Sequence, residues 1–212
     1  MKGTSVMWNY IMEEQEVLGR MLCDKALFET ASDVPELESV YIVAHGSSYN
    51  ASVVMADFLS RYMSVRVYGY TPANFMHNCS SIKCEDQERC MVVAISQTGT
   101  SRGLLEAAGL AKDMGFAVLG ITQVKDSPLS HLADRCLYLE CGSEESNAKT
   151  KGYSSTLLAL MLFGLKYGFS HGKLELRIYQ AVLQELEQCI NRLDAAMDQV
   201  VNWCKKGGFT SR

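Results

Sequence analysis

Short apolar runs, each closed by a hydroxyl-rich or glycine-containing turn, recur along most of the chain. Val40-Tyr41-Ile42-Val43-Ala44, Val65 to Tyr70, Cys90 to Ile95, Phe116 to Ile121 and Cys136 to Leu139 predict five strands. The intervening segments predict helices instead. Tyr49 to Tyr62 carries Val53, Val54, Phe58 and Leu59, and Arg102 to Met114 follows the third strand. Asp126-Ser127-Pro128 starts a short helix, because proline suits the first helical turn. A further helix is expected from about Thr150 to Tyr167. At the start of the chain, Trp8, Ile11, Val17, Leu18, Met21 and Leu22 form a stripe that predicts a helix over about Val6 to Phe28, with Asp33 and Pro35 breaking it. Strands rich in Val and Ile that alternate with helices indicate a parallel sheet covered on both faces. The expected fold is therefore α/β, a three-layer α-β-α sandwich around a five-stranded parallel sheet.

The last segment has a different pattern. Tyr179, Val182, Leu186, Cys189, Leu193, Ala196, Val200 and Trp203 recur at spacings of three and four, a heptad seam on one long helix. Such a seam serves either to pack along its own domain or to meet a subunit or second domain. Residues 1–170 are accordingly expected to form one domain, and residues 171–212 a long C-terminal helix acting as a linker or dimerisation element.

Composition narrows the function class. The 212 residues are 48% hydrophobic and 21% charged, with a formal charge of −4. That suits a globular core and offers no basic field for nucleic acid. No apolar run reaches the length of a bilayer-spanning helix. The polar Met1-Lys2-Gly3-Thr4-Ser5 start is unlike a signal peptide, so a cytoplasmic location is expected. The eight cysteines never form a CxxC pair. Cys79, Cys84 and His77 fall short of four convergent ligands, so neither a metal nor another cofactor is expected. Cys23, Cys90, Cys136 and Cys189 sit in apolar patterns and read as small core residues.

Candidate chemistry gathers at the carboxyl ends of the strands, where sheets of this kind bind ligands. Three hydroxyl-rich loops fall there: Gly46-Ser47-Ser48, Ser96 to Ser101, and the segment after Leu139. In the second, a buried strand runs into Ser96-Gln97-Thr98-Gly99-Thr100-Ser101 and a helix starts directly behind it. Free backbone N–H groups, small hydroxyls and the positive end of a helix dipole make such a junction an anion site. Ser and Thr also cap helices on purely local grounds. Four hydroxyls in six residues, with Gly99 permitting a close backbone approach, favour phosphate. Neither GxxxxGK[ST] nor GxGxxG is present, which argues against an NTPase or dinucleotide site.

The segments Ala44-His45-Gly46-Ser47-Ser48-Tyr49-Asn50, Ser96 to Ser101 and Gly142-Ser143-Glu144-Glu145-Ser146-Asn147-Ala148-Lys149-Thr150-Lys151-Gly152-Tyr153 resemble the sugar isomerase (SIS) domain family, whose fold is flavodoxin-like. They are similar to the first SIS half of glucosamine-6-phosphate synthase isomerase domains and of fructosamine-6-phosphate deglycases. Those proteins carry a G-T-S-Y loop, an S-Q-S-G-E-T loop and a G-P-E-x-x-V-A-S-T-K-A-F segment. The resemblance spans roughly residues 6 to 170. It implies a phosphorylated sugar or amino-sugar as partner, with Ser47 and Ser48 in the pocket and Ser48 near the phosphate or adjacent hydroxyls. Ser96, Gln97, Thr98 and Ser101 would hold the phosphate. Thr100 replaces an acidic residue of the family, and Lys149 stands where the family usually has a sugar-binding serine.

Relatives of the synthase and deglycase type join two SIS domains and place a catalytic Glu and His in the second. The chain is thus expected to be either one half of such a protein or a single-domain relative that completes its site as a homodimer. Met1-Lys2 supplies no N-terminal cysteine nucleophile, so no glutaminase part is expected. Aldose–ketose isomerisation needs a base between C1 and C2. Glu144 and Glu145 are the carboxylates of the three-loop region, and Glu144 is the candidate, with a helix-capping glutamate as the alternative. The expected function is a phosphosugar isomerase or deglycase, and the alternative is a non-catalytic phosphosugar-binding or sensing domain.

Overall fold

The computed structural model describes residues 6–24, 29–30, 33–146 and 148–208. Five strands, β1 (Ser39–Ala44), β2 (Arg66–Tyr70), β3 (Cys90–Ile95), β4 (Ala117–Thr122) and β5 (Arg135–Tyr138), form one sheet in the order β2-β1-β3-β4-β5. Every pairing is parallel. All residues of β1 and β3 are buried, whereas the edge strands β2 and β5 are partly exposed. A parallel strand covered on both faces needs apolar residues at consecutive positions, and the uninterrupted runs at 40–44 and 90–95 meet that need.

The sheet divides the core in two. Val40, Ile42, Met91, Val93, Ile95 and Ile121 face one layer, and Tyr41, Val43, Val92, Ala94 and Val118 face the other. The first layer is closed by α2 (Glu14–Leu22), α3 (Gly46–Met63), α8 (Lys151–Ser170) and α9 (Leu176–Asn191). The second is closed by α4 (Pro72–His77), α5 (Cys79–Ile82), α6 (Arg102–Asp113) and α7 (Pro128–Leu132). Helix α8 is apolar nearly all round and runs against α3 at close quarters. A Cβ at Gly164 would lie 2.6 Å from Leu59 Cδ2, and one at Gly168 would lie 2.1 Å from the Tyr62 carbonyl oxygen. The buried Tyr167 hydroxyl accepts a hydrogen bond from the Leu37 N–H at 2.6 Å, tying α8 to the chain leading into β1.

Four expectations need revision. The opening segment is two helices, α1 (Val6–Met12) and α2, which meet at an elbow at Glu13. Residues 25–28 of the expected helix lie outside the described residues. Gly46, Ser47 and Ser48 form the first turn of α3 rather than a free loop, with His45 as the N-cap and Gly46 at φ +56° making the sharp exit from β1. The C-terminal seam is divided at Arg192 between α9 and α10 (Leu193–Trp203), followed by a π-helical turn (Cys204–Gly208). Ile190 is buried and Leu183, Leu186 and Leu193 pack on the first core layer, while Val200 and Trp203 stay exposed. The cysteines also sort differently. Cys23 and Cys189 are exposed, Cys136 is half-buried, and Cys141 joins Cys90 as a buried thiol. No helix among the described residues is long and apolar enough to cross a membrane.

Candidate functional site

The strand order reverses between β1 and β3, and in open sheets of this kind ligands bind beyond the carboxyl ends of the strands at that reversal. Ala44 and Ile95 are paired at the ends of these two strands, so the 45–48 and 96–101 segments leave the sheet side by side. Each runs into a helix N-terminus. Neither N-cap, His45 of α3 or Ser101 of α6, bonds the helix with its side chain. First-turn N–H groups have no partner within a helix, so two sets of donors and two positive dipole ends converge on one edge. The His45 ring lies across the start of α6, with Nε2 3.3 Å from where a Cβ on Gly103 would sit.

The 96–101 turn is held from below. Ser96 is 8% exposed. Its N–H donates to the Ile121 carbonyl, and its Oγ accepts from the Gly99 N–H at 3.1 Å. Gly99 stands at φ +68°, and a Cβ there would fall 2.2 Å from Ser127 Oγ. The close approach expected at Gly99 is therefore made to the start of α7. Its carbonyl also accepts from the Leu129 N–H at 3.0 Å. The Thr98 and Thr100 hydroxyls stand 2.9 Å apart on the exposed rim. Gln97 points inward: its Nε2 donates to Gln123 Oε1 at 3.3 Å and lies 3.8 Å from Cys141 Sγ. The Cys141 thiol in turn donates to Gln123 Oε1 at 3.2 Å, and burial pushes its pKa up.

The third segment is joined to the second through this amide. A Cβ on Gly152, in the first turn of α8, would meet the Gln97 amide at 2.6 to 2.8 Å. Glu144 is 7% exposed, and both carboxylate oxygens are engaged. Oε1 accepts from the Thr150 N–H at 2.6 Å and the Thr150 hydroxyl at 2.7 Å, and Oε2 accepts from the Gly152 N–H at 3.1 Å. Burial alone would raise its pKa. The hydrogen bonds from Thr150 and Gly152 and the nearby Lys149 ammonium outweigh burial and hold the carboxyl below its ordinary range. Lys149 Nζ donates to the Glu144 carbonyl at 2.6 Å, so the cation is folded onto its own segment and remains half-buried. Glu145 is exposed.

Ser47, Ser48, Ser96, Gln97, Thr98, Ser101, Glu144 and Lys149 thus all stand at or beside one sheet edge, but they differ in what their side chains already do. Ser96, Gln97 and Glu144 are bound into the scaffold, and Lys149 is tethered. Ser101 makes no capping bond. Sequence reasoning missed Gln123, Cys141 and Gly152, which seat Gln97. Gly152 was visible as a glycine in the first helical turn, where a side chain has no local reason to be absent.

The SIS domain family model matches residues 36–166. Among curated relatives, the glutamine–fructose-6-phosphate aminotransferase of Staphylococcus aureus is 29% identical over 194 residues, covering 92% of this chain and 31% of that protein. A protein from Clostridium difficile 630, provisionally described as a phosphosugar isomerase, superposes with a TM-score of 0.87 at 26% identity, covering 96% of this chain and 57% of that one. The C-terminal domain of glucosamine-fructose-6-phosphate aminotransferase from Francisella tularensis gives a TM-score of 0.75 at 23% identity, covering 93% and 58%. The chain spans under a third of the curated relative's length and little more than half of either solved chain. With the sheet order, the reversal between β1 and β3 and a family match over most of its length, this chain belongs to the SIS domain family.

Proposed function

We propose that this chain binds a phosphorylated sugar or amino-sugar at the shared edge of β1 and β3, as one SIS unit of a phosphosugar isomerase or fructosamine-6-phosphate deglycase. The observation that carries the reading is the pair of helix N-termini, α3 and α6, that open side by side without side-chain caps. A phosphate dianion there would accept from first-turn N–H groups and from Ser47, Ser48, Thr98 and Ser101. Ser96 and Gln97 would act chiefly by shaping the turn. Lys149 would sit at the sugar end, and its remaining ammonium protons suit a sugar oxygen or a substrate carboxylate.

Catalysis needs a base whose carboxylate is not already committed. Glu144 accepts three hydrogen bonds and is held in its charged form, which suits a helix cap better than proton transfer. An isomerase built on this unit would draw its acid–base groups from a further SIS unit or from a second copy in a homodimer. The engaged Glu144 also favours a second reading, a phosphosugar-binding or sensing domain without catalysis. A cytoplasmic setting fits either role.

Calorimetry with fructose 6-phosphate and glucosamine 6-phosphate should show binding that the unphosphorylated sugars lack. Replacing Thr98 with Val and Ser101 with Ala together should remove roughly 2 to 3 kcal/mol of that binding, at about 1.5 kcal/mol per charge-assisted bond. Equal affinity for fructose and its phosphate would refute the site. Exchange of the C1 or C2 proton in D₂O, followed by NMR, would decide for an enzyme completed by a second copy over a sensing domain, since a binding domain alone does not perform it.

A further inference from the structure

Lys151 is the first residue of α8 and is 5% exposed, a costly place for an ammonium unless it is paired. Its partners come from the other end of the chain. Nζ donates to Glu13 Oε2 at 2.5 Å and lies 4.5 Å from the centroid of the Tyr10 ring, a cation–π distance. The Tyr10 hydroxyl accepts from the Glu145 N–H at 3.1 Å. The elbow between α1 and α2 therefore grips the 142–152 segment near both ends, at Glu145 and at Lys151. Between these two points lie Lys149 and Thr150, whose N–H and hydroxyl the Glu144 carboxylate caps from just before the first point. The next residue, Gly152, is the one seated against the Gln97 amide. Helix α1 itself contributes no buried residue, so this grip is not a by-product of core packing there. The other charged groups of this region are the Lys149 ammonium, folded onto the Glu144 carbonyl, and the Glu144 and Glu14 carboxylates. Glu14 has its pKa raised by burial and by the charge of Glu144, against a hydrogen bond with Ser154.

We infer that the α1–α2 elbow is a strap that sets the position of the sugar-facing segment, with Glu13 and Tyr10 as positioning residues that act through Lys151 and Glu145. The inference rests on the phosphosugar reading for its functional consequence and on the contacts above for the strap itself. The contacts of Glu13 and Tyr10 fall on the 142–152 segment, whereas the phosphate would be held by the 45–48 and 96–101 segments. The strap therefore governs recognition of the sugar and leaves recognition of phosphate alone.

The test uses the full chain with Glu13→Gln, which removes the charge, and Tyr10→Phe, which keeps the ring and removes the acceptor. Calorimetry with fructose 6-phosphate and with inorganic phosphate gives one readout, and amide hydrogen exchange over 142–152 gives the other. In Glu13→Gln, affinity for fructose 6-phosphate should fall roughly tenfold while that for phosphate changes less than about twofold. Exchange at 145–152 should quicken in both variants, with Tyr10→Phe showing the larger effect at Glu145. Equal weakening of both ligands, or unchanged affinity with faster exchange, would overturn the positioning role. Unchanged exchange in both variants would overturn the strap. If the unaltered protein binds neither ligand, the phosphosugar reading fails, and exchange alone then decides whether the elbow holds the segment.

Discussion

Gly99→Ala is expected to destabilise the chain by about 3 kcal/mol and to abolish phosphosugar binding. Two separate costs add. A residue with a Cβ at φ +68° loses about 1 to 2 kcal/mol relative to glycine. The new methyl would also fall 2.2 Å from Ser127 Oγ and 2.5 Å from Ser127 Cβ, an overlap worth roughly 1 to 3 kcal/mol more. The clash falls on the capping box that starts α7, where Ser127 and Ser130 satisfy each other's backbone N–H groups, so Ser127 has little freedom to yield. The turn would have to move away from α7, taking the Ser96–Gly99 bond with it. Urea unfolding reads the first effect and calorimetry with fructose 6-phosphate the second. Stability within about 1 kcal/mol of the parent would show that the turn is softer than its contacts imply.

Glu144→Ala is the other substitution of large effect, with an expected loss of about 3 kcal/mol. It removes three hydrogen bonds from the 150–152 turn and strips the half-buried Thr150 N–H and the buried Gly152 N–H of their acceptor. Glu144→Gln should cost less and carries a pH signature. The folded-state pKa of Glu144 lies below its unfolded value, so its contribution is complete above the ordinary carboxylate range. It is then lost as pH falls through the folded-state value. Glu14 has the opposite sign: its raised pKa makes its contribution greatest in acid and lost as pH rises through the folded-state value. Subtracting the Gln variant's stability profile from that of the parent isolates Glu144. The difference should shrink on the acid side of the ordinary carboxylate range. A difference that stays constant down to full protonation would show that the cap does not depend on charge.

The strands were legible because parallel pairing requires what the sequence displays, consecutive apolar residues in short runs. Cys90 to Ile95 matches its strand residue for residue, and the others differ by one position at one or both ends. The helix interruptions at Glu13 and Arg192 were not legible. Both residues are good helix formers, and what stands at each break comes from far along the chain or from the core: Lys151 bonds Glu13, and Ile190 and Leu193 beside Arg192 pack on the first core layer. The site was legible as three polar segments at one edge. What each side chain does there was not, because Ser96, Gln97 and Glu144 find their partners among residues that the local pattern does not point to. The cysteines failed for a related reason. Apolar neighbours place Cys189 on an amphipathic helix without saying which face it occupies, whereas Cys141 is buried in the first core layer, with Gln97 and Gln123 within reach of its sulfur.

The missing side chain at Gly152 has a consequence for how this chain can diverge. The volume a methyl group would take there is already filled by the amide of Gln97. A descendant that acquired Gly152→Ala would need a shorter residue in place of Gln97. One that lost Gln97 first would open a hole that a larger residue in place of Gly152 could fill. The two positions lie far apart along the chain yet share one space, so drift at either should be tolerated only in step with the other.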